Sequence, residues 1–396
     1  MRITYLHQYF NTPEMSGGTR SYEMARRLVA KGHEVNMITS WREEDGRTGW
    51  FVTEEAGIKV HWLPVPYSNK MGFKERISAF LRFAWGAARK AASLPADVVF
   101  ATSTPLTIAL PGAYAARRQK APMVFEVRDL WPDVPIAMGA LNNPFLQFLS
   151  KKLERWAYLK STKIVTLTPT MRDYISGKGV PFEKIEVVSN GSSIVPFTPL
   201  KINNEHKLFS LLYCGNLGPA HGVVYLCDLA KVIQKKQYPV HIKVAGEGKD
   251  KKRLENIATE NGTISNTISF IGKVNKSEVP NLYSCSDASI MTICDCEILY
   301  RHAVQNKFFD SLMAGRPVFA NYHGWVSELA VQENVGAILP FDDCDAAAVI
   351  LWEKLNSPEW MKDASIKARK IAEKRFSFDV LSVKVEKILQ DVSNGK

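Results

Sequence analysis

The chain of 396 residues is 46% hydrophobic and 23% charged, a globular composition that excludes disordered, collagen-like and disulfide-scaffold classes. At roughly one to two hundred residues per domain the length implies about two domains, and no stretch approaches the roughly 20 apolar residues needed to cross a bilayer. Residues 1–200 hold 26 Lys and Arg against 17 Asp and Glu, a net +9 of the total +11, so an anionic partner is expected for the first half. No recognised binding motif accompanies that charge, so nucleic acid is not the expected partner.

The first strand is predicted over Ile3–Tyr9, and the residues before it carry no leader-peptide pattern, which points to a cytoplasmic protein. The loop Met15-Ser-Gly17-Gly18-Thr19-Arg20 then opens a helix over Thr19–Lys31. Paired glycines let the backbone approach a ligand, a helix N-terminus offers free N–H groups to an anion, and Arg20 would add charge. An ordinary turn is the alternative. Strands Glu34–Thr39 and Lys59–Leu63 follow, then a helix with an apolar stripe of Phe73, Ile77, Phe80, Leu81, Ala84 and Ala88. Trp85 lies at the edge of the stripe, and Lys74, Arg82, Arg89 and Lys90 lie off it. The pattern fits a helix lying in a membrane interface and equally a core-packed helix; the basic first half favours the membrane. Strands Asp97–Thr102 and Met123–Val127 flank a helix over Thr107–Arg118. The second of them runs into Arg128-Asp129-Leu-Trp-Pro132-Asp133, where a carboxylate at a strand end can orient hydroxyl groups or transfer protons, or simply cap a turn. A second amphipathic stretch, Phe145–Leu149 with Lys151, Lys152, Arg155 and Trp156, precedes a strand over Lys163–Leu167.

A polar segment, Val195–His206, is expected to join the halves. Beyond it the alternation repeats with strands Phe209–Tyr213, His241–Ala245, Ser269–Ile271, Ser289–Thr292, Pro317–Asn321 and Gly336–Leu339. Apolar strands alternating with helices predict an α/β protein of two doubly wound parallel-sheet domains, with ligands at the carboxyl ends of the strands and in the cleft between facing sheets. The glycine-rich turn Gly215-Asn216-Leu-Gly218-Pro-Ala-His221-Gly222 follows the first strand of this half, and no acid stands about 20 residues on to make it a dinucleotide fingerprint. In Asn306-Lys307-Phe-Phe-Asp310-Ser-Leu-Met-Ala-Gly315-Arg316-Pro317, the residues Phe308, Phe309, Leu312 and Met313 face inward, while Lys307 sits in a first turn that disfavours a cation unless an anion lies near. A surface charge pair of Lys307 with Asp310 is the alternative. Asp343-Cys-Asp345 is read as a helix N-cap rather than a metal motif, and the six cysteines as reduced, mostly buried thiols.

Taken together, Gly17-Gly18-x-Arg20, Gly32-His33-x-Val35, Asp129-Leu-Trp-Pro-Asp133, Asn190-Gly191 and the block from Asn306-Lys307 to Pro317-Val318 resemble the retaining glycosyltransferases of family 4, from Met1 to about Leu389. Within it they are most similar to bacterial O-antigen and capsule enzymes that transfer N-acetyl-L-fucosamine. The resemblance implies the GT-B fold, with Rossmann-like domains at 1–198 for the acceptor and 199–375 for the donor, and a helix at 376–396 that crosses back to the first. It implies a UDP-sugar donor, a polyprenyl-diphosphate-linked saccharide acceptor, no metal or other cofactor, and a peripheral place on the anionic inner face of the plasma membrane. Phe73, Lys74, Ile77, Phe80, Leu81, Arg82 and Trp85 would meet that surface. Asp129, Lys307 and Asp310 are the implied catalytic residues. Donor binding is implied for Gly17, Gly18, Arg20, Asn190, Gly215, Asn216, Gly246 and Val274, together with Lys307 and Asp310. Asp310 matches the second acid of the family's Glu-x7-Glu motif, which binds the ribose. The first acid falls on His302, and the family's basic diphosphate pair falls on Asn216 and His221, so more of the phosphate binding would rest on Lys307, with Arg20 or Arg301. A nicotinamide-dependent oxidoreductase, a family member with a soluble acceptor and an inactive nucleotide-binding partner are the competing readings.

Overall fold

The structure is a computed structural model that describes the chain apart from Ser16, residues 68–70 and 195–207, Lys276 and Lys396, and apart from the side chain of Phe73. The expected linker Val195–His206 and the expected boundary at 198/199 lie outside the described residues. The chain divides into two compact units, Met1–Ser189 with Leu381–Lys396, and Asn190–Val380.

The first unit is built on an eight-stranded sheet. Its strands are β1 (Arg2–Leu6), β2 (Glu34–Trp41), β3 (Phe51–Glu55), β4 (Ile58–Pro64), β5 (Val98–Thr102), β6 (Met123–Val127), β7 (Lys163–Thr166) and β8 (Ile185–Val187). They lie in the order β3-β4-β2-β1-β5-β6-β7-β8, all parallel except β3 against β4. Every residue of β5 and β6 is buried, as a sheet covered on both faces requires. The order reverses between β1 and β5, so the loops after β1, β5 and β6 meet at one edge.

Several features differ from the sequence reading, among them the short strand β8, which was not predicted. The first strand ends at Leu6 rather than Tyr9, because the Gln8 carbonyl accepts from Thr39 Oγ1 (3.1 Å), Ser40 Oγ (2.6 Å) and Ser40 N (3.2 Å), and the chain leaves the ladder there. β3 forms a hairpin with β4 across Ala56 and Gly57, whose φ angles are 50° and 79°; an Ala in that position hides the turn signal that Asn-Gly would give. The helix Phe73–Ser93 buries Ala79, Phe83, Ala84, Ala87 and Ala91, of which Ala84 alone belongs to the stripe read from the sequence. Ile77 and Phe80 are half-buried, and Leu81, Arg82, Trp85 and Lys74 are exposed.

The second unit carries six parallel strands, β9 (Phe209–Cys214), β10 (Val240–Ala245), β11 (Ile268–Gly272), β12 (Ala288–Met291), β13 (Val318–Ala320) and β14 (Gly336–Ile338), in the order β11-β10-β9-β12-β13-β14. All six were predicted. The order reverses between β9 and β12, which places the glycine-rich turn after β9 at the switch point. Asp343 accepts from Ala346 N at 2.9 Å and caps the helix Cys344–Leu355 as expected. Of the six thiols only Cys227 is buried and Cys285 is exposed, so they are less buried than composition suggested. No helix among the described residues is long and apolar enough to cross a membrane.

The helix Phe378–Ser393 returns to the first unit, burying Leu381, Val385, Leu389 and Val392. Glu386 fastens it, with Lys31 Nζ at 2.6 Å and His33 Nε2 at 2.8 Å. Burial alone would raise the Glu386 carboxyl, but the bonds from Lys31 and His33 outweigh it and hold it below the usual range. A carboxyl depressed in the folded state contributes stability above its unfolded value of about 4.3 and loses it as pH falls. Thermal melts from pH 6 to 3.5 are therefore expected to fall less steeply for Glu386→Gln than for the parent; parallel curves would show that the pair does not hold the helix.

Candidate active site

In the second unit the loop after β9 is set by backbone contact with the loop after β10. Gly215 N donates to Ala245 O and Leu217 N to Glu247 O, both at 2.9 Å. Gly246, at φ +146°, lies so close that a Cβ there would stand 1.8 Å from Gly215 O. Only a hydrogen fits. Gly215 in turn leaves room for Lys307, whose Nζ lies 3.0 Å from where a Gly215 Cβ would be.

Lys307 enters from the first turn of the helix Asn306–Met313, whose Phe308, Phe309, Leu312 and Met313 are wholly buried as predicted. Its ammonium rests 3.6 Å from the centroid of the Tyr213 ring, Lys307 is 8% exposed, and the ammonium has no hydrogen-bond partner among the described residues. Burial pushes its pKa down to about 7. His221 is pushed down to about 4 by burial and by the Lys307 charge, so it stays neutral. A surface pairing of Lys307 with Asp310 is not what the helix makes: Lys307 is buried, and Asp310 accepts from Ser192 Oγ at 2.7 Å. Asn190 Nδ2 donates to Val304 O at 3.4 Å just ahead of the same helix. Asn216 is exposed, its carbonyl accepting from Tyr213 Oη at 2.8 Å, and Val274 packs on the apolar cluster of Leu212, Ala245, Tyr283 and Ala314. Arg301 lies outside this cradle, in an exposed pair with Glu297 at 2.8 Å. An ammonium so placed beside a glycine turn has the chemistry to take a phosphate oxygen.

In the first unit the ends of β1, β5 and β6 bring together His7, Thr104 and Asp129. Asp129 is exposed and accepts from Thr104 Oγ1 at 2.7 Å. His7 Nε2 stands 3.4 Å from Arg128 Nη1, and since a guanidinium only donates, the ring proton sits on Nδ1 and is given to Ser21 Oγ at 2.9 Å. Burial and the charges of Arg128 and Arg42 hold His7 well below its ordinary pKa, so it is a neutral donor. Gly17, at φ +130°, is exposed, with Asn11 Nδ2 2.6 Å from a virtual Cβ, and Asn11 donates to Gly18 O at 3.3 Å. The helix Arg20–Ala30 that follows has no side-chain cap, leaving its first N–H groups to another acceptor.

Arg20 does not add its charge to that end. It is 3% exposed, donates twice to Glu126 (3.1 and 2.8 Å), to Val188 O (2.9 Å) and to Ser189 O, and so ties the first turn to the sheet. Asp133 likewise belongs elsewhere, bonded to Tyr174 Oη (3.0 Å) and Lys178.

Residues 17–191 match the family model of a glycosyl transferase 4-like domain, and residues 209–355 that of glycosyl transferases group 1. The chain belongs to the GT-B glycosyltransferases. No curated protein is similar enough in sequence to match. Among solved structures this glycosyltransferase is similar to sucrose-phosphate synthase from Thermosynechococcus elongatus (14% identity, all of both chains, TM-score 0.80). It is also similar to Anabaena HepE in complex with UDP (15%, 99% of this chain and 100% of that one, 0.72) and to WaaG, a glycosyltransferase of lipopolysaccharide biosynthesis (17%, 98% and 99%, 0.66). At these identities the likeness shows the fold.

His7, Thr104, Ser192 and Tyr213 are site neighbours that the sequence reading missed. His7 could have been found as a polar residue ending the first strand; the others carry no local signal. Because Arg20 is buried against Glu126, removing the acid leaves an uncompensated charge. Glu126→Ala is expected to cost about 3–5 kcal/mol in urea unfolding; a loss below about 1 kcal/mol would show that water reaches the guanidinium.

Proposed function

We propose that this GT-B glycosyltransferase is a retaining, metal-independent enzyme of family 4 that moves N-acetyl-L-fucosamine from a UDP-sugar to a lipid-diphosphate-linked saccharide, in bacterial O-antigen or capsule synthesis at the inner membrane face. The observation that carries the donor half is the buried Lys307 ammonium, unpaired beside Gly215. The UDP and UDP-glucose complexes of HepE and the lipopolysaccharide role of WaaG support the reading. The acceptor half rests on the basic first unit and on the resemblance of the Asp129-to-Asp133 and Lys307-to-Val318 blocks.

As the bond from sugar to diphosphate lengthens, negative charge grows on the leaving oxygen. Lys307 and the backbone N–H groups of Gly17 and Gly18 offset it. Asp310, held by Ser192, orients the ribose. Same-face attack lets the departing phosphate take the acceptor proton, so no protein nucleophile is needed. Asp129, held by Thr104, orients the sugar hydroxyls.

Since Lys307 titrates at about 7 without ligand, a bound diphosphate must draw a proton onto it. UDP affinity is expected to fall as pH rises from 7 to 9, by at most about tenfold per unit, with uptake of about one proton at pH 8 when titrations in two buffers are compared. Lys307→Ala should weaken UDP binding and flatten this slope. Unchanged affinity and slope in that variant would remove Lys307 from the donor site. Asp129→Asn is expected to lower kcat by about 10²–10⁴-fold, with UDP affinity changed less than about threefold; full turnover would exclude Asp129.

A further inference from the structure

A cavity of about 400 Å³ opens in the first unit between the helix Pro144–Lys160 and the helix Pro169–Ser176 with the turn after it. At its base Lys178 bridges Asp133 and Glu154 (2.7 Å to Glu154), and Tyr158 Oη donates to Glu154 at 3.0 Å. Both acids of the lining are thereby consumed. Lys151, Arg155 and Lys184 also line it, and among the described residues none of them has a carboxylate partner. Four cations, Lys178 among them, stand against two acids, so the lining carries a net +2. Lys184 is half-buried, and burial lowers its pKa, a cost that a bound anion would reverse.

The cavity wall continues into apolar surface. Leu159, 69% exposed, lines the cavity and shares one face of its helix with Phe148 (59%) and Phe145 (70%). At 100° per residue Lys151 and Arg155 fall on the edge of that face nearest the cavity. Free phosphate would satisfy the cations but gain nothing from the exposed rings; a headgroup with an acyl chain uses both.

We propose that this cavity is a second anion site, which takes the phosphoryl headgroup of an anionic membrane lipid between Lys151, Arg155 and Lys184 while the chains lie on Phe145, Phe148 and Leu159. The site shares no residue with the donor cradle, so the inference uses the membrane part of the proposed function and not glycosyl transfer.

The test is sedimentation of the full chain with phosphatidylcholine vesicles containing phosphatidic acid. Arg155→Ala with Lys184→Ala is compared against Lys152→Ala with Lys160→Ala, which removes the same charge from the same face outside the cavity. The cavity variant is expected to lose about tenfold more affinity than the control, the worth of one charge-assisted bond. Melting temperature and UDP affinity should stay at parent values, so failure here is distinct from failure of the transferase reading. Equal losses in the two variants would mean diffuse attraction and overturn the site. A rise in melting temperature with inorganic phosphate over chloride at matched ionic strength, without vesicle binding, would reassign the cavity to a soluble anion and overturn the lipid.

Discussion

A buried ammonium with no acid beside it is costly, and much of the second unit's geometry serves to keep one in place. The Tyr213 ring offers Lys307 the face of a π system at 3.6 Å, which recovers part of the lost hydration without neutralising the charge. Gly215 leaves the space, and Gly246 lets the neighbouring loop brace Gly215 backbone to backbone. Four wholly buried side chains on the far face of the same helix fix its rotation, so the lysine cannot swing out to water. What the fold withholds from Lys307, a counter-charge, is what the diphosphate of the proposed donor would supply.

Arg20 shows the opposite arrangement in the first unit. It is as buried as Lys307 but fully answered by Glu126 and two carbonyls, so its charge is spent on architecture. Both cations sit in the first turn of a helix, and by pattern each could serve a phosphate. The deciding residue lies far away in sequence. Glu126 is a lone acid inside the otherwise apolar strand Met123–Val127, and an acid in a fully buried strand must be paired. That signal was legible, though its partner was not.

The same distinction marks how far the sequence could be read. Parallel strands, the six-strand repeat of the second half and the inward face of the Asn306 helix followed from periodicity, because each concerns neighbours along the chain. The cradle itself joins loops after β9 and β10 with a helix far downstream, and no periodicity connects Tyr213 or Ser192 to Lys307 and Asp310. The helix Phe73–Ser93 stayed open between core and membrane for a different reason. A Cβ on Gly86 would stand 2.5 Å from Leu63 Cδ2, so the helix lies close on the sheet. Close approach demands small residues, and the buried face is mostly alanine. The stripe of large side chains therefore does not mark the core face of this helix.

That packing has a consequence for the charge imbalance of the first half. When alanines fill the interface with the sheet, large apolar residues such as Leu81 and Trp85 are left outside, beside Arg82 and Arg89, with the Arg89 guanidinium 4.6 Å over the Trp85 ring. The helix Pro144–Lys160 repeats the arrangement with Phe145, Phe148 and Leu149 around Lys152, while its acid Glu154 is turned inward to Lys178. Single exposed apolar side chains need no explanation. Here they gather on two helices whose outward-facing charges are basic apart from Glu75, and the acid Glu154 is drawn into the protein. Apolar groups mixed with cations on one surface are what the proposed lipid site draws on, since an interface that is apolar below an anionic layer would answer both.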